Sequence, residues 1–273
     1  MAIETNTIEA PLPREMMQHT YPLLYELEES HWWYLGRRRI IASFVKQICE
    51  QVTDHRPRIL DVGCGTGANV KMLSEFGDAE GVDVSPDALQ FCRERGLDNV
   101  KLGAAEELPY EAGTFDLVTA LDVVEHLDDD VGGLREMHRV LRPGGRVLLF
   151  VPTFMWLWGV QDDVSHHRRR YRLSELRRAV TEAGFEVERT TYANITFLPP
   201  IFLIRMLMRV AGLKIDGEAR INIPAFNGIF ARILGAESSL MRFVNLPVGV
   251  SGLCVARAGS SPTVSEGANP SRQ

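Results

Sequence analysis

The sequence predicts an α/β protein built on an open, doubly wound sheet, and three observations carry that prediction. The stretch Arg58 to Gly67 reads R-I-L-D-V-G-C-G-T-G, with Ile59, Leu60 and Val62 as a short, partly β-branched apolar run. A strand buried on both faces of a parallel sheet has this composition. Gly63, Gly65 and Gly67 follow, and Ala68 to Leu73 reads as the start of a helix. Strand, glycine turn and helix in that order make the first crossover of such a sheet, with ligands beyond the carboxyl ends of the strands. Finally, 273 residues at 45% hydrophobic content suffice for one α/β domain with additions, so two domains are not required.

The elements follow in order. Met1 to Pro13 lacks the apolar core of a signal peptide and carries acids where one needs basic residues, so it is expected to be a loose, disordered tail. Arg14 to Leu35 reads as a helix rich in aromatic residues, and Arg39 to Val52 as a second one, with Ile40, Ile41, Phe44, Val45 and Ile48 at helical spacing. Residues 14–56 therefore form an N-terminal helical cap. After the glycine turn come a helix through Val70 to Phe76, a strand at Glu80 to Val84, and a helix from Asp87 to Arg95. Ser85 caps that helix ahead of Pro86, and Gly96 closes it. Val100 to Leu102 and Thr114 to Leu121 read as strands three and four. Val131 to Leu141 reads as a helix ending in the R-P-G-G-R turn, and Arg146 to Val151 as strand five. Ser174 is expected to cap a helix to Ala183, stopped by Gly184, and Phe185 to Tyr192 alternates as strand six. Gly249 to Arg257 fits a seventh strand, and Ser260 to Gln273 a disordered tail.

Charge and cysteines exclude several function classes. A net charge of −6 provides no basic field, so no nucleic-acid partner is expected. Cys49, Cys64, Cys92 and Cys254 lack C-x-x-C spacing, which argues against a zinc site or a disulfide framework. The expectation is reduced thiols in a cytoplasmic protein, with no metal among the site residues.

The glycine spacing alone fits two cofactors. Gly63, Gly65 and Ala68 satisfy the dinucleotide fingerprint, and Asp83 lies about 20 residues on, where a ribose-binding acid is expected. The whole string D-V-G-C-G-T-G, with Asp61 ahead of the glycines, resembles motif I of the class I S-adenosylmethionine-dependent methyltransferases, and H-W-W-Y-L-G-R-R-R resembles the entry segment of a bacterial branch of them. D-V-V-E-H-L after strand four and L-R-P-G-G extend the resemblance, which spans roughly His31 to Val255.

The resemblance implies a seven-stranded sheet, mostly parallel, whose last strand inserts antiparallel between the fifth and sixth. It implies S-adenosylmethionine as cofactor, with Gly63, Cys64, Gly65 and Gly67 at its backbone, Asp61 on the ammonium side and Asp83, beside Val84, on the ribose hydroxyls. A carboxylate suits a diol because charge-assisted hydrogen bonds are the strong ones. At the adenine position this chain has Ala104 where members often carry an acid, which moves the expectation to the Ala105 backbone and Glu106. Leu121 and Asp122 flank the methyl donor, with Glu125 and His126 facing the cleft. Arg37 or Arg38 is a candidate for the cofactor carboxylate, a solvated helix face being the other reading.

The acceptor side is expected in Pro152 to Tyr171. Trp156 and Trp158 offer walls, and His166, His167 and Tyr171 offer groups able to take a proton. D-x-x-x-x-H-x-R-R-Y at Asp162 to Tyr171 resembles the same branch and makes His167 the leading base, with His126 second. Arg168 to Arg170 either bind an anionic group of the acceptor or pair with Asp162 and Asp163 and fasten the loop. With the core at 57–193 and 247–258, residues 194–246 form an inserted helical cover. Its first part, 195–213, is very apolar but interrupted by Pro199, Pro200, Arg205 and Arg209, short of the about 20 apolar residues of a membrane span. Peripheral membrane contact, burial on the sheet and a homodimer interface are all open readings.

The function implied is transfer of a methyl group to an oxygen or nitrogen of a small or lipid-linked acceptor. A nicotinamide oxidoreductase shares the glycine turn and Asp83 but leaves Asp61 and the downstream motifs unexplained. A non-catalytic cofactor-binding module is the third reading.

Overall fold

The computed structural model describes residues 20–211 and 224–259. The expectations for Met1–Pro13, the start of the first helix, Ser260–Gln273 and the middle of the insertion lie outside the described residues.

The glycine-terminated run Arg58–Val62 is β1, parallel to β2 (Asp78–Asp83) on one side and to β4 (Phe115–Leu121) on the other. With β3 (Val100–Leu102), β5 (Leu141–Pro152), β6 (Phe185–Ala193) and β7 (Ser251–Ala258) they form one seven-stranded sheet in the order β3-β2-β1-β4-β5-β7-β6. β7 runs antiparallel to both β5 and β6. The order reverses between β1 and β4, which opens a crevice at their carboxyl ends. All seven residues of β4 are buried, as expected for a strand covered on both faces.

Helices cover both faces. Leu134, Met137 and Val140 of α5 (Asp130–Val140) and Leu176 and Val180 of α7 (Leu173–Glu182) pack on one. The other is covered by α2 (Trp32–Cys49), α3 (Ala68–Leu73), α4 (Pro86–Glu94) and α9 (Asn227–Met241). α9 belongs to the insertion, yet its Leu234 and Met241 are fully buried in the same cluster as Ile40 and Phe44 of α2.

Several boundaries differ from the sequence reading: β5 starts at Leu141 and takes in the R-P-G-G-R turn expected ahead of it, and two helix starts move. The helix expected to end at Leu35 instead breaks after α1 (Thr20–Leu27), and α2 runs unbroken from Trp32 to Cys49. His31 starts it, its Nδ1 accepting from the Trp33 N–H at 3.2 Å. Gly36 stays inside α2 because a Cβ there would stand 2.7 Å from Leu234. Close helix crossing offsets its propensity cost of about 1 kcal/mol. The second helix start is that of α7, whose N-cap is Arg172 rather than Ser174. The Glu175 carboxylate accepts from the Arg172 N–H at 2.8 Å, leaving Ser174 inside the first turn.

After β5, a 3₁₀ turn (Met155–Leu157) and the short α6 (Val160–Val164) lead toward the acceptor loop. α8 (Leu198–Ala211) takes Pro199 and Pro200 in its first turn, where a missing N–H costs nothing. No helix among the described residues is long and apolar enough to cross a membrane. Phe202, Leu203 and Leu207 of α8, Ile229 and Ile233 of α9, and Phe243 beyond it are exposed.

Candidate active site

The crevice at the β1/β4 reversal opens into a cavity of about 970 Å³ that runs from the glycine turn to the loop after α6. Gly63, Gly65 and Gly67 have φ of +67°, +54° and +87°, conformations that favour glycine. A Cβ on Gly63 would stand 2.5 Å from Val123, whereas one on Gly65 would meet only Leu24, at 3.9 Å, so Gly65 presents bare backbone to the cavity. The Asp83 carboxylate accepts from the Gly65 N–H at 2.8 Å and the Ser85 N–H at 3.0 Å, tying the end of β2 to the turn.

Asp83, Val84, Cys64, Ala105, Glu106, Leu121 and Asp122 all line the cavity, as do Gly63 and Gly65. The Glu106 Oε2 is buried without a hydrogen bond among the described residues. Gly67 and Asp61 do not line it: Gly67 caps α3, and Asp61 is 1% exposed behind the turn. Asp61 accepts from Thr119 Oγ1 at 2.6 Å, while its other oxygen is buried with no hydrogen bond among the described residues. Burial raises its carboxyl to about 7 despite that hydrogen bond.

α1 and the start of α2 lie over the turn, bringing Leu24, Trp32 and Trp33 to the cavity. Arg95, 4% exposed, fixes this cover. It donates to the Thr66 and Tyr25 carbonyls at 2.7 and 2.9 Å, pairs with Glu28 and Glu29, and lies 4.1 Å over the Tyr25 ring. Glu28 also accepts from the Thr66 hydroxyl. Sequence reading missed this cluster, because nothing local links Glu28 to Thr66 and Arg95.

Arg37 and Arg38 both reach the cavity but are engaged within the protein. Arg37 pairs with Asp122 at 2.5 Å and lies 4.6 Å over the Phe150 ring. Arg38 donates to the carbonyls of Glu28 and Ala68. Pairing with Arg37 offsets the charge of Asp122 at the cavity wall.

At the far end, His126 and His167 meet edge to face with ring centroids 4.7 Å apart. His167 Nδ1 lies 2.7 Å from Asp162 Oδ1. Arg170 grips the same carboxylate at 2.7 and 3.0 Å, and the Thr153 carbonyl at 3.0 Å. Burial alone would raise Asp162, but His167 and Arg170 bring it down to about 2. The Asp162 contact engages Nδ1 of His167 and leaves Nε2 outside it, 3.9 Å from the Glu125 carboxyl. Glu125 is fully buried behind the pair, its carboxylate making no hydrogen bond among the described residues and lying 3.9 Å from His167 Nε2.

The other acceptor-loop candidates are placed elsewhere. Tyr171 is buried in the core and donates to Asp130 at 2.6 Å, and His166 is exposed away from the cavity. Trp156 and Trp158 do not line it either; Trp156 contacts the Phe154 and Phe202 rings, and Trp158 donates to Asp163 at 2.9 Å. Of the arginines, Arg168 pairs with Asp128 at 2.8 Å and Arg169 with Asp130 at 3.0 Å. All three thus fasten the loop.

Residues 60–149 match the profile of a family described as a methyltransferase domain. Demethylmenaquinone methyltransferase of Staphylococcus aureus is 40% identical over 99 residues, 33% of this chain, and the chain spans only 41% of the length of that relative. Among solved structures, a chain from the complex of the Haloferax volcanii Trm112 methyltransferase activator with a methyltransferase has a TM-score of 0.58 at 17% identity, over 89% of this chain and 96% of that one. Haemonchus contortus phosphoethanolamine N-methyltransferase 2, solved with S-adenosyl-L-methionine, has a TM-score of 0.50 at 20% identity, over 80% and 52%. The glycine turn lies within the matched segment. Over residues 60–149 the chain is thus similar to a methyltransferase domain, and the solved structures share its fold.

Proposed function

We propose that this protein transfers the sulfonium methyl of S-adenosylmethionine to an oxygen or nitrogen of a small or lipid-linked acceptor, releasing S-adenosylhomocysteine. The observation that carries the reading is one cavity joining the Gly65 backbone and Asp83 to His126 and His167. In this reading Asp83 binds the ribose diol, Gly63 and Gly65 admit the amino-acid portion, and the Ala105 backbone and Glu106 hold the adenine. Asp61 acts on the ammonium through water, being set back from the cavity. The buried, unbonded oxygen of Glu106 supports the adenine role, since such an atom is costly unless a donor reaches it.

Methyl transfer to a nucleophilic atom needs mainly alignment. For a hydroxyl acceptor His167 takes the proton, which the Asp162 contact on its other nitrogen supports. His126 is the weaker base, because burial lowers it to about 4. The small-molecule acceptor is supported by the curated relatives, whose names carry demethylmenaquinone. The lipid-linked alternative is supported by α8, whose Ile201 and Ile204 line the cavity while Phe202 and Leu203 face outward. That outer face is where contact with a membrane surface or a second copy would form, and vesicle flotation beside sedimentation velocity separates the two.

Calorimetric titration with S-adenosylmethionine, S-adenosylhomocysteine and NAD tests the cofactor. Binding of the first two opens an acceptor screen; binding of NAD alone refutes the reading. On the acceptor found, His167→Ala is expected to lower kcat by about 10²- to 10⁴-fold for a hydroxyl substrate while S-adenosylhomocysteine still binds. Unchanged turnover would remove the base.

A further inference from the structure

The proton-transfer reading leaves Glu125 unexplained. Its side chain is fully buried and neither carboxylate oxygen makes a hydrogen bond among the described residues. A buried carboxylate left this way is expensive unless it is paired, binds a metal or keeps a proton, and burial pushes the Glu125 carboxyl well above its ordinary range. Its two neighbours are imidazoles: Glu125, His126 and His167 each bring one ligand atom to within 4.8 Å of the others. Two imidazoles and one carboxylate make the three-ligand set of open, catalytic zinc sites. The support behind His167 matches too, because metal-bound histidines almost always donate their other ring N–H to a carboxylate or carbonyl. Here Asp162 stands 2.7 Å from His167 Nδ1 and is itself held by Arg170. Both histidines line the cavity, so positions not filled by protein would face it.

We propose that Glu125, His126 and His167 form a site for a first-row divalent cation in the wall of the cavity, leaving coordination positions open to an oxygen of the acceptor. The two nitrogen ligands favour zinc, iron, nickel or copper over magnesium, calcium or manganese, which take oxygen sets. In the loaded protein His167 Nε2 is a ligand rather than a base, and acidifying the acceptor hydroxyl passes to the cation. That consequence rests on the methyl-transfer reading; occupancy of the site does not.

The test uses the full chain, stripped with a chelator and titrated calorimetrically with Zn²⁺, then with Co²⁺ while its visible absorption is followed. Stoichiometric binding is expected, with a Co²⁺ spectrum of a site rich in nitrogen and oxygen. Glu125→Gln and His126→Ala should each abolish it. Asp162→Asn leaves the ligands but loosens the ring, and should weaken Zn²⁺ by about ten- to a hundredfold. Circular dichroism and S-adenosylhomocysteine binding verify that each variant is folded. Sub-stoichiometric Zn²⁺, or equal affinity in Glu125→Gln and the parent, overturns the proposal. Zn²⁺ binding without cofactor binding would sink the methyl-transfer reading and leave the metal site standing; the converse result does the opposite.

Discussion

Replacing Asp83 by Ala removes a carboxylate that both accepts from the glycine-turn backbone and faces the cavity. In the parent it accepts from Gly65 N–H at 2.8 Å and Ser85 N–H at 3.0 Å. Each oxygen has a further lone pair for a ribose hydroxyl. Hydrogen bonds to charged groups contribute about 1.5–3 kcal/mol each, so the diol pair amounts to about 3–6 kcal/mol. That is a rise in Kd of roughly 10²- to 10⁴-fold. The two stranded N–H groups add a separate loss of roughly 1–3 kcal/mol each in stability where water cannot replace the carboxylate. Titration with S-adenosylhomocysteine, which cannot turn over, should be run well below the variant's melting temperature. A folded variant whose Kd stays within about threefold of the parent, less than 1 kcal/mol, would refute the ribose assignment.

Two further outcomes are expected. Because Asp61 is raised to about 7 from an ordinary 3.8, the folded empty protein keeps a proton that the unfolded chain has lost. The associated stabilisation is complete below about pH 4 and disappears as the pH rises to about 7, on the order of 4 kcal/mol in all. Urea midpoints across that range should therefore fall more steeply for the parent than for Asp61→Asn, and parallel curves would contradict the shift. Arg95→Ala leaves the buried Glu28 without its closest cation, a loss of about 3–5 kcal/mol if α1 stays in place. α1 is expected to lift instead, with hydrogen-exchange protection lost over Tyr21 to His31 and weaker S-adenosylhomocysteine binding; unchanged protection there would show that Arg95 does not hold the cover.

The sheet and the glycine-turn end of the cavity were legible because their signals are short in range. The run Ile59 to Ala68 holds strand, turn and helix within ten residues, and Ser85-Pro86 marks its own helix start; Ser85 Oγ accepts from Ala88 N–H at 3.3 Å. Asp162 and His167, five apart, were likewise readable as a unit. What sequence reading missed depends on contacts between distant segments. Gly36 sits inside a helix because Leu234 crosses there, and Tyr171 turns from the cavity because Asp130 receives its hydroxyl. Glu125 and His167 meet only because the loop after α6 folds back along the end of β4, where the Arg168 N–H donates to the Glu125 carbonyl at 3.0 Å.

The Arg95 latch bears on timing as much as on affinity. α1 lies directly above Gly65, and Arg95 bonds at once to that helix and to the turn beneath it. Under the proposed function, spent cofactor held beneath such a cover would depart only after several contacts part together. The pace of successive cycles would then follow how often the helix detaches. A change at a residue that never touches a substrate would speed or slow the whole cycle.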